Sequence, residues 1–175
     1  STCSHLNPTD CAYGFVPGGL CTRVWCDGRY IGRMPATLLF EEAVTLPIVW
    51  TTAHHCLREA QVRSVQGTLV HAASGGVGLV STEWIQQARA TAYGTAGGPS
   101  KHRLLRAHRV FHIASSRDAT ACGALLLLLV QTQRLHSLIN SLSKDFIPLS
   151  CALLTDKGTF AEVGKNSIWS SARFS

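Results

Sequence analysis

The stretch "HAASGGVGLV", residues 71 to 80, follows the apolar "GTLV" and precedes a run with helical spacing. Ala73, Gly75 and Gly78 occupy the three positions of a G-x-G-x-x-G pattern, with alanine in place of the first glycine. Physics asks for a tight turn at the first position, close backbone approach to a pyrophosphate at the second, and close helix-on-strand packing at the third. Gly76, Val77 and Gly78 then open a helix whose unpaired N–H groups and dipole favour a phosphate. A strand-to-helix turn that needs small residues only for steric reasons has the same pattern. Taken alone, the loop supports both readings.

The next strand adds a second signal. "TAYGTA" ends without a carboxylate and runs into "GGPSKHR". An Asp or Glu there would accept from the ribose 2′-hydroxyl of NAD, whereas Ser100, Lys101 and Arg103 offer a hydroxyl and two cations to a 2′-phosphate. Pro99 marks the first turn of a helix and puts Lys101 inside it. NADPH is therefore the expected cofactor. Ordinary solvated helix residues would have the same composition, so Lys101 and Arg103 carry both readings.

These residues must be positioned by alternating elements. From Gln66 onward the pattern predicts strands at "GTLVHAA", "TAYGTA", "VFHIAS", "LHSLINS" and "GTFAEVG", with helices between them. The helix "GVGLVSTEWIQQARA" is expected to present Val77, Val80, Trp84, Ile85 and Ala88 on one buried face. Strands alternating with helices imply right-handed crossovers and parallel pairing, hence an α/β fold with a doubly wound, Rossmann-type sheet. The leucine run "ALLLLLV", residues 124 to 130, is expected to supply a buried helix face.

The chain before this reads differently. "TRVWCDGRYIGRMP" alternates and is broken by Gly28, Gly32 and Pro35, which predicts short strands and turns of a β-rich lobe. "LLFEEAVTLPIVWTTAHHCLREA" predicts a helical connector, with Glu41 and Glu42 near one helix start and Pro47 interrupting before a second. The expected division is a β-rich lobe over 1–46 and a nucleotide-binding domain over 47–175.

Composition sets outer limits. A chain of 175 residues, 46% hydrophobic and 15% charged, supports one sizeable core and at most a second small lobe. The formal charge is +6, but the basic residues are scattered without interleaved aromatics, which argues against nucleic acid. Seven cysteines form no CxxC pair and no Cys/His ladder, so reduced thiols in a cytoplasmic setting are expected, with no metal site. No signal-peptide pattern opens the chain, and no apolar run approaches the roughly 20 residues that span a bilayer. No membrane association is expected.

Six segments in order, "FEEAVTLPIVWTTAHH", "HAASGGVGL", "YGTAGGPSKHRLLRA", "HIASSRD", "NSLSKDFIPLSCALL" and "GTFAEVGKNSIWS", resemble the enoyl reductase domain of modular polyketide synthases. That family is a zinc-free, quinone-oxidoreductase-like branch of the medium-chain dehydrogenases. The resemblance runs from about Gly14 to Arg173. It implies a partial GroES-like substrate lobe at the N-terminus and a nucleotide-binding domain truncated at its C-terminus. It also implies an NADPH-dependent reduction of an α,β-unsaturated thioester carried on the phosphopantetheine arm of an acyl carrier domain, beside other synthase domains of one parent chain. The reacting carbanion is delocalised onto the thioester oxygen, so orientation and hydrogen-bond donors serve such chemistry without a metal.

Carried over position by position, the resemblance assigns Gly75, Gly76 and Gly78 to the pyrophosphate loop and Lys101 with Arg117 to the 2′-phosphate. It places Asn140 and Ser141 at one strand end beside the nicotinamide, and Gly164 and Lys165 at the next. Lys101 is also a proton-donor candidate, as are His54 and His55, which stand where relatives carry aromatic residues on the substrate side. Blander roles stay open: surface charge for Arg117 and Lys165, a turn former for Asn140, a packed or solvated helix position for the histidines. The segment "GALLLLLVQTQRLHSLINS" departs from the family pattern, lacking its turn glycines and an acidic residue. A degenerate NADP-binding or interaction module without turnover is therefore the alternative function.

Overall fold

A computed structural model describes residues 4–129, 131 and 134–164. The chain divides into two compact units, Ser1–Thr51 and Thr52–Ser175.

In the first unit, β1 (Ala12–Gly14) and β2 (Ile31–Arg33) form an antiparallel pair with Tyr13 opposite Gly32. Of the segment 22–35, expected to hold short strands and turns, only Ile31–Arg33 forms a strand; residues 22–27 hold none, and a 3-10 turn, Gly28–Tyr30, leads into β2. The reason is visible in burial. Val24 and Trp25 are exposed, so no core surface rewards an alternating pattern there. The turn is held instead by Asp27, whose carboxylate accepts the Arg29 N–H at 2.9 Å and pairs with its guanidinium at 2.6 Å.

Two helices follow, α1 (Phe40–Ala43) and α2 (Leu46–Glu59). Pro47 lies in the first turn of α2, where its missing N–H forfeits no helical bond.

The second unit alternates strand and helix: β3 (Gly67–Val70), α3 (Gly76–Gln87), β4 (Thr91–Ala96), α4 (Pro99–Ala107), β5 (His112–Ser115), α5 (Ala119–Leu129), β6 (Leu135–Asn140), α6 (Phe146–Leu153) and β7 (Leu154–Glu162). The sheet order is β5-β4-β3-β6-β7, and every pair is parallel. The chain winds outward from β3 to β5, then returns past β3 to build β6 and β7. This doubly wound order puts a switch point between β3 and β6.

Successive strand residues feed opposite faces, as strand geometry demands. Val70, Ala92, Ile113 and Ile139 pack with Ile85 of α3 and Leu105 of α4, while Leu69, Tyr93, Ala114 and Leu138 pack with Cys122 and Leu126 of α5 and Leu153 of α6. Each such buried aliphatic side chain contributes roughly 1.5–3 kcal/mol by removal from water.

Two expectations about helix faces are corrected. In α3 the buried residues are Gly78, Ser81, Thr82 and Ile85; Val77, Val80, Trp84 and Ala88 are only half-buried. Small residues take the contact at the start of the helix because Gly78 lies directly on the Ala73 backbone; farther along, Ile85 reaches the core with Leu79 and Trp84 packed beside it. Among the described side chains of α5, Cys122 and Leu126 are fully buried beside Gly123, while Leu127 and Leu128 are 58% and 63% exposed. A helix on one face of a sheet offers only one stripe to it. The strand expected at "GTFAEVG" starts earlier, at Leu154, and ends at Glu162.

Among the described residues, no helix is long and apolar enough to cross a membrane. Within the same set, no group of three or more His, Cys, Asp or Glu side chains is placed to hold a metal. The described cysteines are free thiols. Burial, and then the Asp118 carboxylate, push the Cys122 thiol up to about 11, so it stays protonated at neutral pH.

Candidate nucleotide-binding site

The glycine loop leaves β3 at the switch point. Ala73 donates its N–H to the Thr95 carbonyl at 2.9 Å, and Gly75 donates to the Ala72 carbonyl at 2.9 Å, closing a tight turn. Gly75 is the N-cap of α3 and no side chain caps the helix. The first helical bond is Leu79 N–H to Gly75 carbonyl at 2.8 Å. The N–H groups of Gly76, Val77 and Gly78 therefore stand at the open end of the helix, with the positive pole of its dipole.

The small residues divide into two jobs. Ala73 is fully buried, and a Cβ on Gly78 would lie 2.5 Å from the Ala73 Cα, so these two set how closely α3 lies on β3. Gly75 and Gly76 are exposed. A Cβ on Gly75 would meet only the Ala72 carbonyl oxygen, at 3.4 Å, an ordinary contact. The protein's own packing does not require glycine there. The unfilled space lies over the helix N-terminus, which fits the approach of a phosphate.

Beyond the C-terminal ends of β4 and β5 is a cavity of about 350 Å³ whose walls include Gly97, Gly98, His102, Arg103, Arg106 and Ser115. His102 is oriented by a 3.0 Å bond from Nε2 to the Ala96 carbonyl. The Arg117 side chain lies over Gly97, its Nε 3.1 Å from where a Cβ on that residue would sit. Lys101, Arg103, Arg106 and Arg117 make no ion pair with any described residue. Four unpaired cations around a carboxylate-free strand end are a donor set suited to a phosphate monoester. Lys101 and Ser100 are exposed on the first turn of α4 and do not line the cavity, whereas Arg103 and Arg106 do. Sequence reasoning passed over Arg106 and His102; their i, i+4 spacing on α4 was the available signal.

At the ends of β6 and β7, Asn140 is fully buried. Its Nδ2 donates to the Leu142 carbonyl at 2.7 Å and to Glu162 Oε2 at 2.8 Å, and its Oδ1 accepts the Leu142 N–H at 3.2 Å. Glu162 Oε1 accepts the Gly164 N–H at 2.6 Å. The Asn140 amide is thus committed to joining two strand ends, and Glu162, unremarked in the sequence, is its partner. Gly164 is half-buried beside them; Lys165 lies outside the described residues.

His54 and His55 are both exposed on α2. His54 sets its ring edge-on to Trp84 of α3, centroids 5.1 Å apart. A different histidine, His71, is the buried one, at the end of β3. Burial lowers its pKa to about 4, which keeps it neutral at pH 7. In the first unit, a cavity of about 570 Å³ is walled by Tyr13, Phe15, Tyr30 and Trp50 among others.

A parallel sheet in this order, with a glycine-rich turn and an uncapped helix N-terminus at its switch point, is the Rossmann-type arrangement of nucleotide-binding domains. No protein-family model matches the chain. It is 34% identical over 175 residues to the reducing polyketide synthase rads1 of Floropilus chiversii, an alignment covering 97% of this chain and 7% of that protein. The crystal structure of the CurK enoyl reductase superposes with a TM-score of 0.78 at 34% identity, over 83% of this chain and 43% of that one. The nucleotide-binding subdomain of the enoylreductase domain of PpsC from Mycobacterium tuberculosis gives a TM-score of 0.65 at 27% identity, over 71% and 73%. The chain is thus similar over nearly all its length to reducing polyketide synthases, of which it spans only a small part, and in sequence and fold to part of an enoyl reductase.

Proposed function

We propose that this chain binds NADPH and serves the reduction of an α,β-unsaturated acyl thioester delivered on the phosphopantetheine arm of an acyl carrier domain, within a larger synthase that holds its other domains. The observation that carries this reading is the pairing of two anion sites on one sheet edge. One is the uncapped N-terminus of α3; the other is the group of unpaired cations at the end of β4.

The pyrophosphate would lie over Gly75 and Gly76, against the N–H groups of Gly76, Val77 and Gly78, with Ala73 and Gly78 holding the helix in place. Lys101, Arg103, Arg106, Arg117 and the Ser100 hydroxyl would surround the 2′-phosphate. Asn140, Gly164 and Lys165 would bound the nicotinamide end. When bound, NADPH supplies a hydride to the β-carbon of the thioester. The chain's own part is then to orient the reactants and to deliver a proton to the α-carbon, for which the exposed imidazoles of His54 and His55 are candidates, and Lys101 only if it does not hold the 2′-phosphate.

Titration of the purified chain with NADPH and with NADH tests the cofactor. Tighter binding of NADPH is expected, and equal or absent binding of both would sink the assignment. Following NADPH absorbance with crotonyl-pantetheine tests the reaction. Tight binding without oxidation would assign the chain a nucleotide-binding role without turnover.

A further inference from the structure

Behind the glycine loop the buried polar side chains form one connected path. Thr95 on β4, His71 at the end of β3 and Ser150 on α6 are each essentially inaccessible to solvent. His71 Nδ1 lies 3.1 Å from Thr95 Oγ1, and Nε2 lies 2.7 Å from Ser150 Oγ. The remaining partners fix the protons. Ser150 donates its hydroxyl to the Phe146 carbonyl at 2.5 Å, so its oxygen accepts from His71 Nε2–H. Thr95 Oγ1 accepts the Ala72 N–H at 3.1 Å, which frees its own proton for His71 Nδ1. His71 is thus a neutral imidazole protonated at Nε2, the form its burial also favours.

We propose that Thr95 and His71 are positioning residues for dinucleotide binding: through the Thr95 hydroxyl, held by the His71 ring against Ser150, they set the backbone of residues 72–75 that aims the N-terminus of α3 at the pyrophosphate. This rests on the cofactor reading above. Ala72 sits at φ +47, a left-handed conformation that L residues adopt only when neighbours hold them there. Thr95 supplies the hold twice, its hydroxyl taking the Ala72 N–H and its carbonyl taking the Ala73 N–H at 2.9 Å. Ala72 in turn accepts from Gly75, the helix N-cap. On the far side, Ser141 Oγ donates to the His71 carbonyl at 3.3 Å, tying the same residue to the end of β6. The loop is therefore oriented from β4, α6 and β6 at once; Thr95, His71 and Ser150 do so from the interior, and the exposed Ser141 from the end of β6.

The test uses the 175-residue chain and NADPH as probe. Thr95→Val keeps the shape and β-branching but removes the hydroxyl; it should weaken NADPH about tenfold, the value of one or two buried hydrogen bonds. Thr95→Ser restores the hydroxyl and should bind within about twofold of the wild type on the same scale. Ser150→Ala, which loosens only the ring, should fall between them and serves if Thr95→Val does not fold. Leu138→Ala is the control for simple destabilisation, expected to lower the unfolding temperature and leave affinity unchanged. In the free protein, amide exchange at Ala72 should accelerate in Thr95→Val and not in Thr95→Ser. A wild type that binds NADPH while Thr95→Val binds as well, or Thr95→Ser binding as poorly as Thr95→Val, overturns this inference alone. A wild type that binds no dinucleotide overturns the cofactor reading and this one with it.

Discussion

Gly78, in the first turn of α3, packs directly on the backbone of Ala73, where a Cβ would approach the Ala73 Cα to 2.5 Å. This contact joins the last of the three small positions to the first. It draws the helix onto the strand and leaves Gly75 and Gly76 open at its end.

Gly78→Ala should therefore destabilise the chain by about 1–3 kcal/mol, the usual cost of overpacking against backbone. Gly75→Ala meets only an ordinary contact and should leave stability nearly unchanged while weakening NADPH. Urea unfolding and NADPH titration on the two variants separate these effects. Equal stability losses at both positions would contradict the division of jobs.

Charge reversal at Lys101, Arg103, Arg106 or Arg117 should weaken NADPH far more than NADH, because only the former carries the 2′-phosphate. Raising the salt concentration should narrow the preference, since these side chains are exposed. An unchanged preference in Lys101→Glu with a lost one in Arg106→Glu would move the phosphate contact from the first turn of α4 to the cavity wall.

Stability should fall on acidification through His71. Its folded pKa of about 4 lies below the ordinary imidazole value of 6.5, so the unfolded chain binds the extra proton in between. The contribution is complete above about pH 6.5 and is lost as the pH falls to about 4; a shift of this size corresponds to about 3 kcal/mol. Denaturant midpoints measured between pH 7.5 and 4.5 should drop for the wild type more steeply than for His71→Gln.

The leucine run offers a packing test. Leu126→Ala should cost about 2–5 kcal/mol as a buried truncation, and Leu128→Ala less than about 0.5 kcal/mol as an exposed one. Thermal unfolding of the two variants reads the difference. Comparable losses would mean that the exposed face of α5 is covered in solution.

Much of the second unit was legible in the linear sequence. Each strand from β3 to β7 follows from an apolar run bounded by turn residues. The loop follows from small residues at fixed offsets, and the cations at the end of β4 from the run "GGPSKHR" after a strand that ends without a carboxylate. These are local rules, acting over a few residues where chain geometry leaves little choice. In the segment 22–35 only Ile31–Arg33 became a strand, because alternation stabilises a strand only against a surface that buries one side, and Val24 and Trp25 meet none.

Tertiary structure alone decided which face of α3 meets the sheet, which leucines of α5 are covered, and how distant polar groups pair. Asn140 finds Glu162 across 22 residues, and His71 finds Thr95 across 24 and Ser150 across 79. Nothing in their local sequence marks those partners. A buried polar group must be satisfied wherever the fold brings a complementary atom, and that atom is chosen by sheet order and helix packing rather than by neighbours in the chain.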